Sequence, residues 1–428
     1  MSNTALFRLA SSLLCLAYLL QGVRAAGGTL DVSVVLRGGE DSQKQGTTDS
    51  MAVDGAKEGC PPSINFPSQY ASCNLDLKVP TVEDEQEFAQ VIPHAAQQSD
   101  FILAMGYFAE KAVHETALQN SGKTFGIIDF EFTPPVPNIA SVLFKDDQEG
   151  FLAGLLAGEI ANGRNKKVAV IGVNQLDIRR KVNGFANGVK LACLDCTPYC
   201  TYAKSFSNDN HESDSIAASI AGLNGVDVVY NAASITGTLA LKKLTTENGI
   251  LAIGDTTDEW ITNWALGSVP GSEKVITSII RDYRVMVREN IKAALNNHFV
   301  TGLTLLYGVT NNTDTTVLRF ADCHEACDVY NSDLKHKMED YMTKLGNGDI
   351  KTDIDHKTGM WKTQGGGGSQ CKLFDGAVVK AANNHTKNTT KSEASWMRGG
   401  SAVGLVSHYV NAFILLGFIK VLVGAGLP

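Results

Sequence analysis

The sequence predicts an α/β protein whose parallel sheets are wound by helices and divided between two lobes. Three observations predict it. Short apolar runs alternate with amphipathic helical stretches along most of the chain, the pattern of strand–helix–strand units. Most of these runs end in Gly, Asp, Asn or Ser, the edge where open parallel sheets carry ligand contacts. The stretch 124–158 holds a strand ending in Asp129, a Pro-rich turn (Pro134, Pro135, Pro137), a second extended run and an acidic helix start (Asp146, Asp147, Glu149). That order is expected of a chain leaving one lobe for another.

Taken in order, residues 30–36 alternate as a strand and stop at Arg37-Gly38-Gly39-Glu40-Asp41-Ser42. Glycines there let the backbone approach a ligand closely. Residues 51–59 are weakly helical, 75–79 form a short strand and 82–98 an acidic amphipathic helix. A buried strand over 101–105 ends in Gly106, Tyr107 and Phe108, and a helix over 109–120 follows. Residues 167–172 (KVAVIG) are another buried strand, 174–180 its tip and 182–191 a helix. A short strand over 202–206 ends at Phe206 and Asn208-Asp209-Asn210, before a helix over 215–223. The strand at 226–230 ends in Asn231, and a helix covers 238–247. The strand at 250–253 ends in Gly254-Asp255-Thr256-Thr257-Asp258, and a long helix is expected over 278–296. Tyr107 and Phe206 are the candidates to stack on a planar ligand.

The chain has 428 residues, 44% hydrophobic and 19% charged, enough for two or three domains. A net charge of −8 and the lack of a basic stripe argue against a nucleic-acid partner. No GxGxxG or GxxxxGK[ST] run is present, and no cofactor or metal is expected. Residues 1–25 read as a secretory signal: Arg8, an apolar run over 13–20 and Val23-Arg24-Ala25. That run is too short to span about 30 Å of hydrocarbon. Of nine cysteines, Cys15 lies in the signal, leaving Cys60, Cys73, Cys193, Cys196, Cys200, Cys323, Cys327 and Cys371. In an exported chain these read as disulfides, with Cys60–Cys73 the most plausible local bridge. Zinc held by the Cys193-x-x-Cys196 cluster is the alternative. Asn311, Asn384 and Asn388 open glycosylation sequons. Beyond residue 356 a glycine-rich and polar linker (357–401) leads to an apolar segment (402–428). That segment reads as a GPI-attachment signal or, alternatively, a terminal membrane helix. Either one holds the folded part at the cell surface, on the outer face.

Several segments in order, TFGIIDFEFTPPVPNIASVLFKDDQEGFLAGLLAG, KVNGFANGVK, GVDVVYNAA, LAIGDTTDEW, ITSIIRDY and KHKMEDYMTKLGNGDI, resemble the basic membrane protein family. These are purine-nucleoside-binding receptors of bacterial ABC importers. The resemblance implies a type I periplasmic-binding-protein fold, with two lobes joined by three crossings near 137–142, 254–258 and 302–305. The lobes are then expected over 29–141 with 257–303, and over 142–256 with 304–356. It also implies a base between aromatics and a ribose held by an Asp and a Lys. In the first loop Asp41 and Ser42 persist, while the stacking Phe is absent. Thr256 stands where the ribose Asp is expected, with Asp255 and Asp258 beside it, and Arg281 stands at the cationic position.

The function expected is a non-catalytic receptor for a small polar solute, a purine nucleoside above all, with a membrane protein as a further partner. An adhesion module with a degenerate cleft and a nucleoside-hydrolase-like enzyme using Asp129 or Asp255 are the alternatives. No GxSxG or HExxH motif supports the enzyme.

Overall fold

The computed structural model describes residues 28–39, 44–61, 68–206, 209–362 and 371–374. The signal-like segment, Asp41, Ser42, most of the linker, Asn384, Asn388 and the terminal apolar segment lie outside them. The chain begins with β1 (Gly28–Val35), α1 (Thr48–Gly59), β2 (Tyr70–Lys78), α2 (Glu85–Gln98), β3 (Phe101–Met105), α3 (Glu110–Gln119), β4 (Thr124–Ile128) and β5 (Ile139–Phe144). Next come α4 (Asp146–Asn162), β6 (Lys167–Val173), α5 (Leu176–Ala192), β7 (Thr197–Ala203) and α6 (Asn210–Ala221). They are followed by β8 (Val228–Asn231), α7 (Ser234–Asn248), β9 (Leu251–Thr256), α8 (Glu259–Thr262) and β10 (Val275–Arg281). The last elements are α9 (Tyr283–Leu295), β11 (Leu303–Tyr307), β12 (Leu318–Phe320), α10 (Ser332–Asn347) and β13 (Lys372–Leu373).

The strands form two sheets, ordered β11-β5-β4-β3-β1-β2 and β12-β10-β9-β8-β6-β7-β13. Every pairing is parallel except β10 with β12. Parallel strands buried on both faces read as unbroken apolar runs, as FILAM in β3 and KVAVIGV in β6 do. The chain passes between sheets after β5, after β10 and after β11. The second crossing expected at 254–258 is therefore displaced to Arg281–Tyr283. The cause is the run Val275-Ile276-Thr277-Ser278-Ile279-Ile280, whose β-branched residues pair with β9. The helix expected from 278 starts only after Asp282, whose side chain accepts from the Val285 amide. The strand expected over 202–206 runs instead over Thr197–Ala203, leaving Phe206 beyond its end. No helix among the described residues is long and apolar enough to cross a membrane.

Helix α4 is buried almost throughout, as a helix apolar on every side must be. Its closest neighbour is α5, and glycines set the separation. A Cβ built on Gly150 would lie 1.9 Å from the Lys181 carbonyl oxygen, and one on Gly154 2.0 Å from that of Phe185. From the other side, Gly184 would meet the Asp147 carbonyl at 2.2 Å and Gly188 that of Phe151 at 2.2 Å. The two helices thus touch backbone to backbone, which brings the first turn of α4 against the first turns of α5. The α1–α9 pair uses the same device at Gly55, 2.1 Å from the Arg284 carbonyl.

The eight cysteines pair as Cys60–Cys73, Cys193–Cys196, Cys200–Cys371 and Cys323–Cys327. The third bridge ties the edge strand β13 to β7, which it pairs in parallel. Beside it, buried Phe374 packs edge-on against Tyr199, 6.3 Å between ring centres.

Candidate functional site

The tips of both sheets and the second crossing converge on one buried ionic cluster. Arg281, the last residue of β10, donates from Nη1 to Asp129 Oδ1 at 3.3 Å, from Nη2 to Asp146 Oδ1 at 2.5 Å and from Nε to Glu149 Oε2 at 2.9 Å. Tyr283 donates to the other Asp129 oxygen at 2.6 Å. Asp129 follows β4 of the first sheet, whereas Asp146 and Glu149 open α4, so Arg281 joins the lobes. Lys181 on α5 donates to Asp255 at the end of β9 at 2.6 Å and lies 3.1 Å from Glu149. Tyr230 from β8 donates to the second Asp255 oxygen at 2.5 Å. Arg180 donates to the second Asp146 oxygen at 3.1 Å. Backbone contact between α4 and α5 is what lets Lys181 reach Glu149.

Three cations, Arg180, Lys181 and Arg281, face four carboxylates, Asp129, Asp146, Glu149 and Asp255. The excess negative charge falls on Glu149. Burial pushes its carboxyl up to about 8, and Asp255 adds to the rise, although Arg281 and Lys181 act against it. Its Oε1 faces the Lys181 ammonium at 3.1 Å without a well-aligned hydrogen bond. For Asp255 burial acts upward, but Lys181, the Glu149 hydrogen bond and Arg281 outweigh it, and its carboxyl is held below the usual range. Burial also lifts Asp146. For Arg281 burial acts downward, but Glu149, Asp146 and Asp129 outweigh it and hold it charged.

A pH effect follows. Glu149 binds a proton in the folded state up to about pH 8 but, unfolded, loses it near 4.5. Folding stability from this group is therefore highest at low pH and falls as pH rises from 4.5 to about 8. Buried Glu259, lifted to about 7 by burial, slopes the same way. Melting curves from pH 5 to 8.5 are expected to show a declining midpoint, and Glu149→Gln a shallower decline. An unchanged slope in that variant would place the proton elsewhere.

Of the residues expected at the site, Asp129, Asp255 and Arg281 are thus brought together. Thr256 adjoins them, its hydroxyl donating to Asp255 at 3.2 Å. Asp129 and Thr256 both hold positive φ, 67° and 65°, an uncommon conformation for residues with a Cβ. Gly106 also has positive φ, 86°, and beside it Tyr107 is 56% exposed. Phe206 is half-buried and packs against the cores on both faces of the second sheet. Asp258 pairs with His324 at 2.8 Å, next to the stacked Trp260–His324 rings. Asn231 is buried, its amide lies within bonding distance of Ser234, Thr238 and Glu259, and its oxygen accepts from Ala233. These bonds brace the β8 tip. Asn311 is exposed on the third crossing. Sequence reasoning missed Asp146, Glu149, Arg180, Lys181, Tyr230 and Tyr283 as site residues. The acidic run KDDQEG and the basic run Arg179-Arg180-Lys181 ahead of VNGFANG were the available signal.

Comparison with known proteins agrees with this architecture. The sequence model of the Bmp family, described as ABC transporter substrate-binding protein PnrA-like, matches residues 66–351. The CD4+ T-cell-stimulating antigen of Listeria monocytogenes is 28% identical over 259 residues, 59% of this chain and 70% of its own length. The ABC transporter nucleoside-binding protein BmpA of Lactococcus lactis is 26% identical over 229 residues, 51% of this chain and 64% of its own. Among solved structures, an ABC transporter solute-binding protein of Aeropyrum pernix superposes with a TM-score of 0.54 at 20% identity, covering 77% of this chain and 95% of that one. One from Conexibacter woesei gives 0.55 at 16% identity, with 75% and 98% covered. Their fold is the type I solute-binding fold, two parallel-sheet lobes joined by crossings. With the family matched over most of its length, the chain belongs to the Bmp family of ABC-transporter substrate-binding proteins, a non-catalytic class that binds small solutes.

Proposed function

We propose that this protein captures a purine nucleoside between its lobes while held at the outer face of a membrane. The observation that carries the reading is the meeting of Asp129, Asp255 and Arg281, from the tips of both sheets, in one cluster. Asp129 is the most exposed of the four carboxylates, at 19%, and its contact with Arg281 at 3.3 Å is the longest Arg281 makes. This bond yields first. A ribose diol entering there takes a donor from Arg281 and offers its own hydrogens to Asp129 and Asp255, with Thr256 and Asp258 flanking. Tyr107 and Phe206 supply the aromatic faces for the base. The name of the Lactococcus relative supports the nucleoside class. The signal-like start, the sequons and the apolar terminal segment support the surface location, with the solute handed to a membrane protein.

Isothermal calorimetry with adenosine, inosine, guanosine and free sugars tests this; heat is expected with the nucleosides. Tyr107→Ala is expected to weaken binding by about tenfold or more, since stacking contributes roughly 1–3 kcal/mol per base. A second reading, an adhesion module, is favoured by one observation. Both side-chain oxygens of Asp129 and of Asp255 already accept from protein donors. No heat with any of these compounds would favour that reading over the receptor.

A further inference from the structure

Immediately beyond the family-matched span, which ends at residue 351, the chain makes a small hairpin. The Asp355 amide donates to the Met360 carbonyl at 2.7 Å, the Lys362 amide to that of Asp353 at 2.9 Å, and Ile354 bridges Trp361. Gly359 makes the turn at φ 68°.

One polar stripe on α5 grips this hairpin. Arg180, Asn183 and Asn187 stand at positions i, i+3 and i+7, hence on one helix face. Arg180 Nε donates to the His356 carbonyl at 2.6 Å, Asn183 to that of Gly359 at 2.7 Å and Asn187 to that of Thr352 at 2.7 Å. Trp361 returns a bond to the Asn187 oxygen at 3.0 Å, and the Thr352 hydroxyl bonds Asp147 on α4. These groups are not a solvated surface: Arg180 is 4% exposed and Thr352 6%. A buried guanidinium whose Nε lost its acceptor would carry a large desolvation cost, so Arg180 keeps its place only while His356 does.

From Arg180 a chain of direct contacts reaches the first lobe. Arg180 holds one oxygen of Asp146, Arg281 holds the other, and Arg281 also holds Asp129. Asp146 is therefore divided between two arginines. With Arg180 displaced, Asp146 turns wholly to Arg281 and draws it from Asp129.

We propose that the 352–361 hairpin is a brace that positions Arg281 through Arg180 and Asp146, and so sets how firmly the two lobes are joined. Its effect on solute affinity rests on the nucleoside reading above; its effect on the hinge does not. Such coupling is read by perturbing one end and measuring at the other.

The test uses the full chain with Asn187→Ala, which frees the Thr352 carbonyl and Trp361, and Trp361→Phe, which removes one hydrogen bond and keeps an aromatic ring of smaller size. Backbone hydrogen exchange is followed at the crossings, where the Lys145 amide bonds Tyr307 and the Asp282 amide bonds Val317. At least about threefold faster exchange is expected there, with the amides of β6 and β8 unchanged. Exchange unchanged at the crossings in both variants, or accelerated evenly across the second lobe, would overturn the brace. Inosine titrated into the same variants is expected to bind more weakly, and Arg281→Lys combined with Asn187→Ala to add less than the product of the two single effects. Inosine affinity unchanged despite faster crossings, or effects that multiply, would also count against it. If the unaltered protein takes none of the three nucleosides, the nucleoside reading fails and the exchange measurement alone decides the brace.

Discussion

Gly154→Ala is expected to lower the melting temperature by about 3–5 °C, corresponding to a loss of roughly 3 kcal/mol in a chain of this size. Local propensity argues the other way, since alanine in a helix interior is favoured over glycine by about 1 kcal/mol. Packing wins because the new methyl would lie 2.0 Å from the Phe185 carbonyl oxygen, a backbone atom that no rotamer change can move. Helix α4 would have to withdraw from α5, carrying Glu149 away from Lys181. The variant should therefore lose solute affinity as well as stability. Gly163→Ala just past the same helix is the control, with nothing within 4 Å of its added Cβ. It is expected to change stability by no more than about 0.5 kcal/mol. Equal melting temperatures for the two variants would show that the helices do not meet at their backbones.

Arg281→Met should cost about 3–5 kcal/mol near pH 7.5, the usual penalty for removing one member of a buried ionic group. The methionine fills the volume but leaves Asp129, Asp146 and Glu149 without their shared donor. Arg281 acts to lower the carboxyls of both Asp146 and Glu149. Without it both rise further and take up protons on folding. The deficit of the variant should then shrink as pH falls from 8 to 5 and widen in the other direction. Arg281→Lys should lie between, because a single ammonium cannot serve three carboxylates as a planar fork does. Chemical denaturation of the three proteins at pH 5.5 and 8 measures this. A deficit below about 1 kcal/mol that ignores pH would mean that the carboxylates find other partners.

The alternation of elements was legible because each buried parallel strand is a short unbroken apolar run, as in β3 and β6. Boundaries failed where composition misled. In Thr197–Ala203 a proline and four hydroxyl-bearing side chains break up the apolar signal, and the sequence places the strand five residues too late. In Val275–Arg281 the strand runs into Asp282 and α9 with no turn residue between, so strand and helix read as one helix. The site was legible only at strand tips. A polar tip residue looks the same in sequence whether it joins the ionic cluster, like Asp129, or braces its own strand end, like Asn231. The partners of Arg281 lie 132 to 152 positions away. What brings Lys181 to Glu149 is a set of glycines, whose spacing carries no mark of the charges they bring together.

The Cys200–Cys371 bridge decides how the molecule bears tension. Pull transmitted along the chain beyond Phe374 enters through a covalent cross-link into the second lobe, and β13 need not hold by its hydrogen bonds alone. The first lobe, joined to the second by the three crossings and by the Arg281–Asp129 contact, lies off that path. A tether attached downstream would then leave the joint between the lobes off the line of pull.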